Sequence, residues 1–190
     1  MLANKKQDLR VTRTQRALVT AMTALLEKNG FQKTTVNDLC DLAMVSRTTF
    51  YQHFEDKYHL LRFSLEQIME QERCRVEEGN IHQLITGMLD HVEEKAKMFR
   101  ALLLEDMDYE LLRMFSELWV RELTRKLEQR AAQGHSFPVP VTTLAVYMAG
   151  GMAQLLVGWV FSGFTPPKEE LANQLLILLR ISIGEGVQVL

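Results

Sequence analysis

The sequence predicts an all-helical chain: an N-terminal head of three helices built around a helix-turn-helix, followed by a larger helical domain. Three observations carry this. Apolar residues recur at helical spacing from residue 17 to residue 183 with no alternating strand pattern. Asn29-Gly30 and Gly134 fall where two of those patterns stop, and the four prolines, at positions 138, 140, 166 and 167, lie between patterns and never inside one. With 190 residues and 47% hydrophobic content, the chain is long enough for a head over residues 1–57 and a second domain over 58–190 with its own core.

The first helix is expected over Arg13–Asn29. Ala17, Leu18, Ala21, Met22, Leu25 and Leu26 form one face, and Asn29-Gly30 is a C-terminal stop. Thr35-Val36-Asn37-Asp38 then reads as a capping box variant. It opens a short helix that turns Leu39, Leu42 and Ala43 inward. A tight turn at Met44-Val45 leads to Ser46, whose hydroxyl can cap a third helix.

That third helix, Ser46-Arg47-Thr48-Thr49-Phe50-Tyr51-Gln52-His53-Phe54, has the character of a recognition helix. Phe50 and Phe54, four apart, seat one side in a core. Thr48, Tyr51 and Gln52 fall on the other side, with Arg47 in the first turn and His53 on the flank. These are hydrogen-bond donors of the kinds that meet phosphates and base edges.

Charge has the same polarity. Residues 1–57 hold nine Lys or Arg against six Asp or Glu, whereas the whole chain carries −2. The surplus is concentrated in Lys5, Lys6, Arg10, Arg13 and Arg16, opposed by Asp8, an arm able to track phosphates. Overall acidity argues against broad coating of nucleic acid and for a local footprint. Met1–Arg10 is polar, unlike a secretory leader, so a cytoplasmic location is expected. Cys40 and Cys74 have neither metal nor redox spacing, and Cys40 reads as a small core residue.

Downstream, helices are expected over Asp56 to about Glu78, Ile81 to about Glu94, Met98–Leu104, Asp108–Gln133, Val141–Phe161 and Lys168–Ile183. The fourth of these carries Leu111, Phe115, Leu118, Trp119, Leu123 and Leu127 on one stripe, with Glu117–Arg121 and Glu122–Lys126 as outer pairs. No Asp, Glu, Lys or Arg occurs between Arg130 and Lys168. A helix of that kind is long enough to cross a bilayer, but Thr142, Thr143, Gln154 and the flanking prolines fit a soluble interface better. Its small residues, Ala145, Ala149, Gly150, Gly151, Ala153 and Gly158, would let another helix approach closely.

Residues 13–61 resemble the N-terminal domain of the TetR-type bacterial transcriptional regulators. The resemblance rests on Thr34-Thr35-Val36, Asp38-Leu39-Cys40, Val45-Ser46-Arg47, Phe50-Tyr51-Gln52-His53-Phe54 and Lys57-Tyr58-His59-Leu60-Leu61. One departure is Met44, where that family commonly has Gly. Either Met44 takes an unusual backbone angle or the turn is shaped differently. The resemblance implies that Arg47, Thr48, Thr49 and Gln52 approach base edges or nearby phosphates, and that Thr35, Tyr51, His53 and Lys57 clamp the backbone. Lys57 would add its ammonium to the N–H groups at the start of its helix.

The run Tyr147-Met148-Ala149-Gly150-Gly151 through Leu155-Leu156 to Trp159, then Gly163-Phe164 and Glu169-Glu170-Leu171, resembles one branch of the same family. It implies that the last two helices pair with those of a second subunit. The expected seam holds Ala149, Gly150, Gly151, Ala153, Leu156, Leu175, Leu178 and Leu179. A pocket for a small apolar or amphipathic ligand would be lined by Met98, Phe99, Leu102, Met114, Phe115, Trp119, Tyr147, Met148 and Met152. The expectation is a homodimeric repressor on a near-palindromic double-stranded operator, released by a small molecule. The alternatives are an activator, a regulator controlled by a partner protein, or a helical protein-interaction module.

Nothing in the sequence suggests an enzyme or calls for a cofactor. Gly150-Gly151 lies inside a helix and lacks the lysine of a phosphate-cradling loop, and no nucleophile sits beside a base. His82, Asp90, His91 and Glu94 match no metal spacing, so no metal site is expected.

Overall fold

The computed structural model describes residues 2–75, 81–105 and 109–184, and every regular element among them is helical. In chain order these are α1 (Leu2–Asn29), α2 (Val36–Ala43), α3 (Arg47–His53), α4 (Lys57–Arg75), α5 (Ile81–Glu94) and α6 (Ala96–Arg100). A π-helical turn (Ala101–Glu105), α7 (Tyr109–Ala132), α8 (Val141–Phe161) and α9 (Lys168–Ser182) follow. The expected helix limits Glu78 and Asp108 lie outside the described residues. The chain forms two compact units, residues 1–68 with 97–106, and residues 69–96 with 107–190.

The first unit is built on α1, which starts eleven residues before the expected Arg13. Residues 2–12 contain neither Gly nor Pro and several good helix formers, so a helix nucleated by the packed half extends backwards at little cost. At its other end Gly30, at φ 76°, donates its N–H to the Leu26 carbonyl at 3.1 Å and stops the helix. The core beneath holds Leu18, Met22, Leu26, Phe31, Leu39, Phe50, Phe54, Leu60, Leu61 and Leu102, each at most 2% exposed. Burial of each such side chain stabilises the unit by roughly 1.5–3 kcal/mol.

Leu42, expected inward, is half exposed. Leu39 and Cys40 take the inner line of the 8-residue α2, and Leu42 points roughly 160° away from Cys40. Cys40 is buried as expected, and burial pushes its thiol pKa up.

In the second unit α7 packs along α8, and α9 packs on α5 and α8. All six expected stripe residues of α7 are buried, together with Met114. On its outer side Arg113 meets Glu110 and Glu117, and Arg125 meets Glu122, at spans of three or four residues. Lys168, at the start of α9, bonds Asp90 and Glu93 of α5, which raises its pKa. α8 closes with Gly163 at φ 74° and Phe164 N–H on the Trp159 carbonyl at 2.8 Å. The Phe164 ring stands edge-on to Trp159 at 4.9 Å. α8 has the length and hydropathy, 1.6, to cross a membrane, yet one side of it is buried against α7. That is the signature of a core helix.

Candidate nucleic-acid interface

The interface begins with the cap of α2. Thr35 Oγ1 accepts from Asp38 N–H at 3.2 Å, while Asp38 Oδ2 accepts from Thr35 N–H at 2.9 Å and from its hydroxyl at 2.6 Å. The Thr35 hydroxyl and then its N–H hold the Asp38 carboxyl pKa below its ordinary value. Thr35 is exposed, but both of its donors are engaged in this box. The structure adds two exposed donors beside it, Lys33 and Asn37, that the sequence-based set omitted. The cap itself was the signal, because it fixes Asn37 in the first helical turn.

Met44 settles the question left by the missing glycine. It takes the left-handed conformation, φ 54° and ψ 43°, and is 91% exposed. Met44 N–H donates to Asp41 at 3.3 Å and Val45 N–H to Cys40 at 3.0 Å, so the turn has the hydrogen bonding a glycine would give.

Ser46 caps α3 by accepting from Thr49 N–H at 3.1 Å, and its hydroxyl lies 2.9 Å from Thr49 Oγ1. Phe50 and Phe54 are buried, and Phe54 meets Phe63 edge-on at 5.4 Å, which locks the helix onto α4. This anchoring leaves Arg47, Thr48, Tyr51 and Gln52 exposed, with Thr49 and His53 half-buried at the edges. The Arg47 guanidinium sits 5.8 Å from the Tyr51 ring centroid, so cation and phenol form one projecting pair. Guanidinium, amide and hydroxyl groups on one rigid 7-residue helix can reach base edges and phosphates together.

Lys57 is placed differently from the rest. Its ammonium donates to the carbonyls of Phe31 at 2.8 Å, Gln32 at 3.1 Å and Thr34 at 3.0 Å, and lies 4.5 Å from the Phe31 ring centroid. The start of α4 is also closed by its own acid, since Asp56 Oδ1 accepts from His59 N–H at 2.7 Å. In this structure Lys57 ties the loop after α1 to α4, and the helix start is not an open anion cradle.

The other two expected sets are divided. Met98, Phe99 and Leu102 are buried in the first unit, whereas Met114, Phe115, Trp119, Met148 and Met152 are buried in the second, and Tyr147 is 72% exposed. Of the expected seam, Ala149, Ala153, Leu175 and Leu179 are buried inside the chain, Leu156 is half-buried, and Gly150, Gly151 and Leu178 are exposed. The exposed three continue into Val146, Tyr147, Leu155, Phe161, Ile177 and Ile181, none of them in the expected seam. Among the described residues no group of His, Cys, Asp and Glu could hold a metal ion.

Comparison with known proteins agrees with this geometry. Residues 18–62 match the family model described as bacterial regulatory proteins, tetR family, and residues 79–180 match a transcriptional regulator C-terminal region. No curated protein matches the sequence. Among solved structures, a TetR transcriptional regulator from Streptococcus agalactiae is 25% identical, with a TM-score of 0.63 over 93% of this chain and 98% of that one. The dihydroxyacetone kinase operon activator DhaS shares the fold at 18% identity and a TM-score of 0.65, over 90% of this chain and 97% of that one. NalD, the secondary repressor of the MexAB-OprM multidrug efflux pump in Pseudomonas aeruginosa, does so at 18% identity and 0.56, over 92% and 97%. The two family models cover most of the chain, which belongs to the TetR family of bacterial transcriptional regulators.

Proposed function

We propose that this regulator is a cytoplasmic homodimeric repressor that binds a near-palindromic operator through residues 1–57 and is released by a small apolar or amphipathic ligand held in residues 58–190. The observation that carries the DNA reading is the exposed donor set of α3, mounted on the buried Phe50 and Phe54. Arg47, Thr48, Thr49 and Gln52 would read bases, and Thr35, Tyr51 and His53 would hold phosphates. Lys57 would reach a phosphate only by giving up a carbonyl.

Dimerisation is supported by glycines that the single chain does not explain. At Gly150, Gly151 and Gly158 a Cβ would meet nothing within 4 Å. Glycine in a helix interior costs roughly 1 kcal/mol relative to alanine. A second copy lying against the exposed stripe of α8 and α9 would account for both the glycines and the apolar surface. Met114, Phe115, Trp119, Met148 and Met152 would give the ligand an adaptable apolar wall.

The similarity to DhaS, described as an operon activator, favours activation as the second reading. Selection of bound duplexes from random DNA, followed by transcription in vitro from a promoter carrying the selected site, tests both. A two-fold symmetric site whose occupancy lowers transcription supports the proposal. Raised transcription supports the second reading, and no selected sequence overturns both. Ligand release requires reciprocity: an inducer that weakens operator binding must itself bind less tightly, by the same factor, when operator is present.

A further inference from the structure

No side chain from Leu9 to Ala17 of α1 is fully buried. Among the described side chains the first fully buried one of this 28-residue helix is Leu18, and the stretch from Leu9 to Ala17 rises roughly 12 Å at about 1.5 Å per residue. Arg10, Arg13 and Arg16 are all exposed, and no Asp or Glu occurs between Asp8 and Glu27. Residues three apart on a helix are offset by about 60°, so these three form one shallow spiral, with Arg13 and Arg16 on the side away from the buried Leu18, Ala21, Met22, Leu25 and Leu26 and Arg10 at the edge of that side. Lys5 and Lys6 continue the sequence of cations, although their side chains lie outside the described residues.

A helical stretch with no fully buried side chain gains little from packing, and this one concentrates positive charge in a chain whose net charge is −2. We infer that the exposed Arg10, Arg13 and Arg16 stripe of α1 is a second DNA contact that grips backbone phosphates beyond the reach of α3 and adds affinity without base preference. Successive arginines rise about 4.5 Å along the helix, and phosphates of one strand rise about 3.4 Å along the duplex, so two or three can be met at once. The inference rests on the DNA-binding reading above.

The test is the salt dependence of binding to a selected operator duplex, measured by fluorescence anisotropy. For R10Q/R13Q/R16Q the slope of log affinity against log salt is expected to fall by about 2 to 3. The wild-type advantage should therefore shrink roughly 40-fold between about 50 and 200 mM salt if three contacts are made. Preference among operator variants should be unchanged. R10K/R13K/R16K, which keeps the charge, should keep the slope, which a purely structural role for the arginines would not secure. A folded glutamine variant with the wild-type slope, beside a wild type that binds its operator, would show a solvated arm only and overturn the inference alone. A wild type with no duplex affinity at any salt would overturn the DNA reading and the inference together.

Discussion

The Lys57 ammonium donates to the Phe31 carbonyl at 2.8 Å, across 26 positions of sequence, while resting over the Phe31 ring. With its bonds to Gln32 and Thr34 it closes the loop between α1 and α2, so its removal should act first on stability. Lys57→Met is expected to lower the stability of the first unit by about 1–2 kcal/mol, the part-exposed setting limiting the loss. Thermal melting checks this. An unchanged melting temperature with lost DNA binding would instead make Lys57 a phosphate ligand.

Met44 occupies a left-handed position that favours glycine. Met44→Gly should relieve backbone strain, partly offset by greater freedom of the unfolded chain, and raise stability by up to about 1 kcal/mol. Because the Met44 side chain is 91% exposed, no packing is lost. Chemical denaturation gives the sign, and destabilisation would mean that Met44 makes contacts the isolated chain does not show.

The Asp38 carboxyl is held below its ordinary pKa of 3.8 by Thr35. A depressed folded pKa stabilises at pH above the unfolded value, and the contribution disappears as pH falls through the folded one. Wild type should therefore be more stable than Asp38→Asn at neutral pH. The gap should begin to close near the ordinary carboxylate value and vanish below the depressed one. Melting curves at a series of pH values test this, and a gap that persists in strong acid would assign the effect to something other than charge.

Gly151 faces open space in the single chain. Gly151→Trp should consequently leave the subunit folded while blocking the approach of a second copy, giving a helical monomer in sedimentation. A folded dimer of normal mass would place the seam elsewhere.

How much of this was readable in advance depends on the range of the interaction. Ser46, Phe50 and Phe54 were legible because a cap and an i, i+4 pair are local, and the head follows from them. The Lys57 tie was not legible, since its three partners lie 23 to 26 residues away and nothing in their types marks carbonyl acceptors. In α8 the periodicity failed for a different reason: the helix carries no charge, and Thr142, Thr143 and Gln154 alone are too sparse a polar signal to distinguish the buried Ala149 and Ala153 from the exposed Gly150 and Gly151. Met44 stated a problem that sequence could not resolve, and the backbone angle resolved it.

The central claim is that α3 reads sequence through Arg47 and Gln52 while Tyr51 holds the backbone. The most direct measurement is the affinity of Arg47→Ala, Gln52→Ala and Tyr51→Ala for a selected operator and for single-base variants of it, at one stated salt concentration. Arg47→Ala and Gln52→Ala should each cost about 1–3 kcal/mol on the intact operator and lose discrimination at particular base pairs. Tyr51→Ala should weaken all duplexes alike. Unchanged affinity and unchanged base preference in all three, with the proteins folded, would contradict the account.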